Sequence, residues 1–153
     1  MRRPAVAAHV GAIARNGDMP TMPSTRFGIV GGGWWAEMYL RIAASLAEFE
    51  VSGMVVRRAE AGAVLEKAWG VRTFRTVEDM VSALGGELLF VVIAVPQPAN
   101  AEMLKAVVDS GVPVLGQTPS GWTMDELTEL HETVTAVCCI CLACIWMPIR
   151  SFF

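Results

Sequence analysis

The stretch Arg26 to Leu40 constrains this chain more than any other. Arg26-Phe27-Gly28-Ile29-Val30 is a short, mostly apolar run, Gly31-Gly32-Gly33 follows without a spacer, and Trp34-Trp35-Ala36-Glu37-Met38-Tyr39-Leu40 opens a helical pattern. A strand, a glycine turn and a helix in that order are how the first part of a dinucleotide-binding βαβ unit is written. Each position has its own task. Gly31 permits the sharp turn out of the strand. Gly33, without a Cβ, lets the main chain approach a pyrophosphate. Ala36 takes the third place of G-x-G-x-x-G/A, where a small side chain lets helix and strand pack closely. A helix beginning near Trp34 would aim free N–H groups and the positive end of its dipole at the phosphates. Gly31, Gly32, Gly33, Trp34 and Trp35 are therefore the first candidate cofactor-binding residues. Glycine triplets also make ordinary turns, and methyltransferases that bind an adenosyl cofactor carry a similar one, so the rest of the chain has to decide.

It continues as alternating strands and helices. Phe27–Val30 reads as the first strand and Trp35–Glu48 as the first helix. Val51–Val56 follows as a strand, and Glu60–Trp69 as a helix stopped by Gly70. Val71–Phe74 is a short third strand. Thr76 caps a helix through Leu84, with Glu78 and Asp79 in its first turn, where the helix dipole favours acids. Leu88–Val95 is a continuous apolar run rich in β-branched residues, as a strand buried on both faces must be. Beyond Pro96-Gln97-Pro98, a helix over Ala99–Ser110 closes at Gly111, and Val112–Leu115 is the fifth strand. Thr123-Met124-Asp125-Glu126 is a capping box for a helix to about Val134. The fold class expected is α/β, a Rossmann-type doubly wound parallel sheet in a single domain. Of the 153 residues 54% are hydrophobic and 18% charged, which suits a sheet covered on both faces.

Residues 1–24 read as a flexible extension, 25–135 as the dinucleotide-binding domain and 136–153 as an apolar, cysteine-rich tail. Arg2-Arg3 followed by Ala5 to Ala14 has the outline of an export signal, but His9 and Gly11 interrupt its apolar core. Met19 and Met22, just before the first strand, raise the alternative of an upstream start error. A net charge of −3 offers no basic surface, so nucleic acid is not an expected partner. All four cysteines, Cys138, Cys139, Cys141 and Cys144, fall in the tail and form no disulfide framework, which points to the reducing cytoplasm. Cys141-x-x-Cys144 has apolar neighbours and no second pair, and His9 and His131 are too few for a histidine site, so no metal is expected. Val134–Pro148 falls short of the roughly 20 residues a bilayer requires, so no membrane partner is expected either. The tail fits a sixth strand or the end of a frameshifted gene. Nothing in the sequence specifies an oligomer.

Ligands of open α/β sheets bind at the carboxyl ends of the strands. After the second strand, where an acidic residue normally holds the ribose 2′-hydroxyl of NAD, the chain has Val56-Arg57-Arg58. Paired guanidinium groups suit a 2′-phosphate, which tilts the expected cofactor toward NADP over NAD. After the fourth strand, Val95, Pro96, Gln97 and Asn100 would stand beside the nicotinamide half. A proline in the first turn of a helix is equally ordinary, and the residues alone leave that choice open.

Taken together, Gly31-Gly32-Gly33-Trp34-Trp35-Ala36, Val92-Ile93-Ala94-Val95-Pro96 and Gly111-Val112-Pro113-Val114-Leu115-Gly116-Gln117-Thr118-Pro119 resemble a known family. It is the N-terminal domain of the glucose–fructose oxidoreductase, inositol dehydrogenase and rhizopine-catabolism (Gfo/Idh/MocA) oxidoreductases, over about Arg26 to Glu129. The resemblance implies an NAD(P)-binding domain of an enzyme acting on a sugar, cyclitol or related polyol, with Gln117 and Thr118 also at the cofactor. The chain departs from the family in three places. Gln117-Thr118-Pro119 replaces Glu-Lys-Pro, removing a lysine taken to help bind cofactor and substrate. Asn100 stands where a histidine is often found. The second domain, which in the family binds substrate and supplies the acid–base histidine, has no counterpart after Leu130. The resemblance thus implies a cofactor-binding half without catalytic residues, inactive as it stands. The alternative is a stand-alone nucleotide-binding or sensory module that works with a partner chain.

Overall fold

In a computed structural model of the protein, residues 24–117, 119–137 and 141–143 are described. Their order is β1 (Thr25–Val30), α1 (Trp34–Ala44), β2 (Phe49–Val55), α2 (Ala59–Trp69), β3 (Thr73–Phe74), α3 (Val77–Leu84), β4 (Phe90–Ile93), a 3-10 turn (Gln97–Ala99), α4 (Asn100–Asp109), β5 (Val114–Gly116), α5 (Met124–Val137) and β6 (Cys141–Ala143). The strands form one sheet in the order β3-β2-β1-β4-β5-β6, and every neighbouring pair is parallel. This is the expected doubly wound Rossmann architecture. The chain winds outward from β1 to β3, then returns to start again beside β1 at β4. Between β1 and β4 the winding reverses, which leaves a crevice at their carboxyl ends.

Side-chain alternation divides the core into two layers. Val30, Val91 and Ile93 face the side covered by α3, α4 and α5, against Met80, Leu104, Val107 and Leu130. Ile29, Met54, Val92 and Ala94 face the other side, where α1 and α2 contribute Ala36, Leu40, Ala43 and Leu65. Both faces of the central strands are therefore dry, which explains their unbroken apolar sequence.

The element boundaries differ from the sequence reading where local hydrogen bonds intervene. The first helix stops at Ala44, short of Glu48, because the Ser45 N–H turns back to the carbonyls of Arg41 and Ile42 and its hydroxyl also donates to Ile42. The following turn starts β2 at Phe49, earlier than expected. The register against β1 then slips between Phe27 and Gly28, from Val51 to Gly53, so Ser52 is the extra residue of a bulge. The fourth strand is shorter than its apolar run, since beyond Ile93 only the Ala94 N–H still reaches Val30 (2.8 Å) before the proline turn begins. Of the two accounts of the tail, Cys141–Ala143 supply a sixth strand paired with Val114–Gly116. The extension up to residue 23, Thr118, residues 138–140 with Cys138 and Cys139, and everything from Cys144 lie outside the described residues. No helix among the described residues is long and apolar enough to cross a membrane.

Candidate functional site

At the carboxyl ends of β1, β2 and β4 the crevice opens into a cleft of about 580 Å³, the size of a small-molecule site. Its floor is the glycine turn. Gly31 has φ 134°, and a Cβ on it would lie 2.2 Å from the Ala94 carbonyl oxygen. Its N–H donates to Val55 (2.9 Å), so the ends of β1, β2 and β4 are laced together at this residue. Gly33 is different. It lines the cleft, its backbone is extended, and a Cβ there would meet nothing within 4 Å. Glycine is required at 31 by the fold; at 33 the space a side chain would fill is open cleft.

The helices that begin at this cleft lack side-chain caps. Gly33 is the N-cap of α1 and Arg58 that of α2; neither makes a side-chain capping bond, and the 3-10 turn leading into α4 has none either. In α1 the first main-chain bond runs from the Glu37 N–H to Gly33 (3.1 Å), so the N–H groups of Trp34, Trp35 and Ala36 come before the ladder begins. The helices whose starts do not line the cleft are capped. Thr76 accepts from the Asp79 N–H (3.1 Å), and Thr123 from the Glu126 N–H (3.2 Å), with Glu126 accepting in return from Trp122 and Thr123. Uncapped N-termini around a Cβ-free cradle are what a bound phosphate group needs. The residues present fit a dinucleotide.

Most of the candidate residues converge on this cleft. Gly31, Gly32, Gly33, Arg57, Arg58, Val95 and Pro96 all line it. Arg57 and Arg58 are exposed at the end of β2, and neither forms an ion pair among the described residues. Trp34 and Trp35 do not line it. Their rings meet edge to face (4.7 Å between centroids), with Trp34 63% exposed, and their N–H groups are among those that precede the α1 ladder. Gln97 and Asn100, expected at the cofactor, are instead turned toward the β5–α5 loop. Gln97 donates to the Pro119 carbonyl, while Asn100 is buried with its carboxamide N–H groups facing the carbonyls of Gln117, Pro119 and Ser120. Gln117 is half-buried and away from the lining; Thr118 lies outside the described residues. The sequence reading left Val30, Val55, Val56, Ala61, Ala94, Ala99 and Met103 out of its candidates, and these complete the walls. Three of these are alanines at a strand end or a helix start, and that smallness beside a glycine turn is the signal that could have found them. Lys105 is off the rim, ion-paired with Glu129 between α4 and α5, and the carboxylate raises the lysine pKa.

Comparison with known proteins agrees with this geometry. The profile of an oxidoreductase family with an NAD-binding Rossmann fold matches residues 25–143. Over 111 residues the chain is 30% identical to the rhizopine catabolism protein MocA of Rhizobium meliloti, covering 72% of this chain and 34% of that protein. Among solved structures, the WlbA dehydrogenase of Bordetella pertussis, in complex with NADH and UDP-GlcNAcA, superposes with a TM-score of 0.71 at 21% identity, over 81% of this chain and 36% of WlbA. A biliverdin reductase from Synechocystis, in complex with biliverdin and NADP+, gives 0.67 at 18% identity, over 78% and 37%. At these identities the structural matches speak for the fold. The chain spans about a third of the length of each relative.

Proposed function

The chain belongs to the Gfo/Idh/MocA oxidoreductase family, and from that membership we propose that its cleft holds NADP in preference to NAD and serves an oxidoreductase acting on a sugar, cyclitol or related polyol. The substrate class is supported by the name of MocA and by the nucleotide sugar bound to WlbA. The observation that carries the reading is the open space at Gly33, at the uncapped start of α1, with Arg57 and Arg58 on the neighbouring wall. In this reading the N–H groups at the start of α1 bind the pyrophosphate, Arg57 and Arg58 take the 2′-phosphate by charge-assisted hydrogen bonds, and Val95 and Pro96 border the other half. A bound nicotinamide supplies the hydride acceptor or donor; the chain's own residues bind and orient it. The cysteine pattern favours a cytoplasmic location.

Cofactor choice is the test. Replacing both Arg57 and Arg58 with alanine should weaken NADPH binding by about 1–3 kcal/mol, the usual size for hydrogen bonds to charged groups, and leave NADH nearly unchanged. Fluorescence titration of both reduced cofactors reads this directly. An unmodified chain that prefers NADH would overturn the NADP assignment. A second reading, a nucleotide-binding module working with a partner chain, is favoured by one observation: among the described residues, the charged side chains lining the cleft are Arg57 and Arg58.

A further inference from the structure

We propose that Gln97 and Asn100 are positioning residues: they tie the β5–α5 loop to the turn after β4 and so set the fit of the nicotinamide half of the cofactor, an inference that rests on the cofactor reading above. Asn100 is 1% exposed and is the buried polar residue of the described core. Its Nδ2 lies 3.1 Å from the Gln117 carbonyl, 3.2 Å from that of Pro119 and 3.3 Å from that of Ser120. A carboxamide has two N–H groups, so three acceptors crowd two donors. The carbonyls of Gln117, Pro119 and Ser120 are thus gathered on this one side chain. Gln97, in the 3-10 turn, reaches the same Pro119 carbonyl through its Nε2.

The sheet does not set this spacing by itself. β4 and β5 pair at Val91 with Val114 and at Val92 with Leu115, and no pairing extends to Gln117 or beyond. Above that level, among the described residues, the two carboxamides bond the turn of Val95–Asn100 to the carbonyls of Gln117, Pro119 and Ser120. Val95, Pro96 and Ala99 line the cleft, whereas Gln97 and Asn100 do not, so the amides act on a ligand only through the segments they hold. The glycine turn and the arginines engage the phosphates and the adenosine ribose over β1 and β2. The remaining half of a dinucleotide then extends over β4 toward β5, where the tethered loop stands. A loop misplaced by about 1 Å is enough to change a bound group's alignment substantially.

The experiment compares affinities for NADPH and for 2′,5′-ADP, its adenosine half, in the full chain and in Asn100→Ala and Gln97→Ala. Asn100→Ala should weaken NADPH by about tenfold while 2′,5′-ADP changes by less than about twofold, on the scale that a small misplacement costs. Gln97→Ala, at a half-exposed position where folding is not at stake, should shift the same ratio in the same direction by less. A ratio that stays at the parent value in both variants would overturn the proposal, because a merely structural role lowers both affinities together by reducing the folded fraction. A parent chain that binds neither probe would overturn the cofactor reading itself, a different result from an unchanged ratio.

Discussion

Gly31 and Gly33 are separated by a single residue and are glycines for opposite reasons. At Gly31 the positive φ and the 2.2 Å approach to the Ala94 carbonyl leave a side chain nowhere to go. Gly31→Ala should therefore destabilise the whole domain by at least about 2 kcal/mol, combining backbone strain with overpacking, and chemical denaturation should show it whether or not cofactor is present. At Gly33 an added side chain enters open space in an extended backbone. Gly33→Val should leave the unfolding free energy within about 1 kcal/mol of the parent, the scale of a changed N-cap without buried contacts, yet abolish NADPH binding. Equal binding by variant and parent would make the turn structural only. The places of Gly31 and Gly33 in the structure were legible in the sequence, because the spacing of a glycine turn after a strand fixes which residue makes the turn and which one faces the cleft. Arg57 and Arg58 were legible for a similar reason, as the first residues past a strand end. Gln97 and Asn100 were not. Their place in the chain gives their level above the sheet, but the direction of each carboxamide depends on a loop some twenty residues later, which no local pattern encodes.

At the scale of the elements, end signals decide more than interior propensities. Thr76 and Thr123 were readable as caps because a capping side chain acts on N–H groups within its own turn. Thr76→Ala removes the bond to the Asp79 N–H and should cost about 1 kcal/mol, seen as a lower denaturation midpoint at unchanged slope. The end of α1 was less readable, since Ala-Ser-Leu-Ala-Glu at 44–48 continues a plausible helix and only the return of Ser45 onto Arg41 and Ile42 stops it. A contact between elements carries a pH signature. Glu66, near the end of α2, accepts from the Thr73 hydroxyl (2.7 Å) and N–H (2.9 Å) on β3, and these bonds lower its pKa. A carboxylate with a depressed folded-state pKa adds stability that is present above its ordinary pKa and is lost as the pH falls through the depressed value. Thr73→Val keeps the shape but removes the hydroxyl, the larger of the two causes that lower the Glu66 pKa. The stability gap between parent and variant should be open at neutral pH and narrow in the acid range; a gap that widens on acidification would refute the assignment.

At the scale of the whole molecule, the alternation of strand and helix signals implies a parallel sheet because each crossover must return the chain to the same end of the sheet. The order β3-β2-β1-β4-β5-β6 adds the reversal beside β1, and with it the crevice; it follows from which helices cover which face, a property of the assembled core. That crevice determines what this chain can do alone. Hydride transfer to or from a polyol needs a group that exchanges the hydroxyl proton within hydrogen-bond reach of the reacting carbon. Among the described residues, the charged side chains of the lining are Arg57 and Arg58, and a guanidinium offers N–H donors with no acceptor to take up a proton. They also stand at the end of β2, on the adenosine side. Lys105 is engaged with Glu129 between two helices, and His131 lies well along α5 rather than at a strand end. Orientation without proton exchange leaves the transition state no better held than the ground state, so binding alone does not raise kcat. The 153-residue chain should therefore bind NADPH and yet reduce NADP+ at no more than the background rate across a panel of sugars, cyclitols and polyols. Reduction is followed by the absorbance of the nicotinamide product. Turnover that survives repurification and disappears in Gly33→Val would show that the cleft recruits an acid–base group from elsewhere in the chain, and would return full catalysis to this domain.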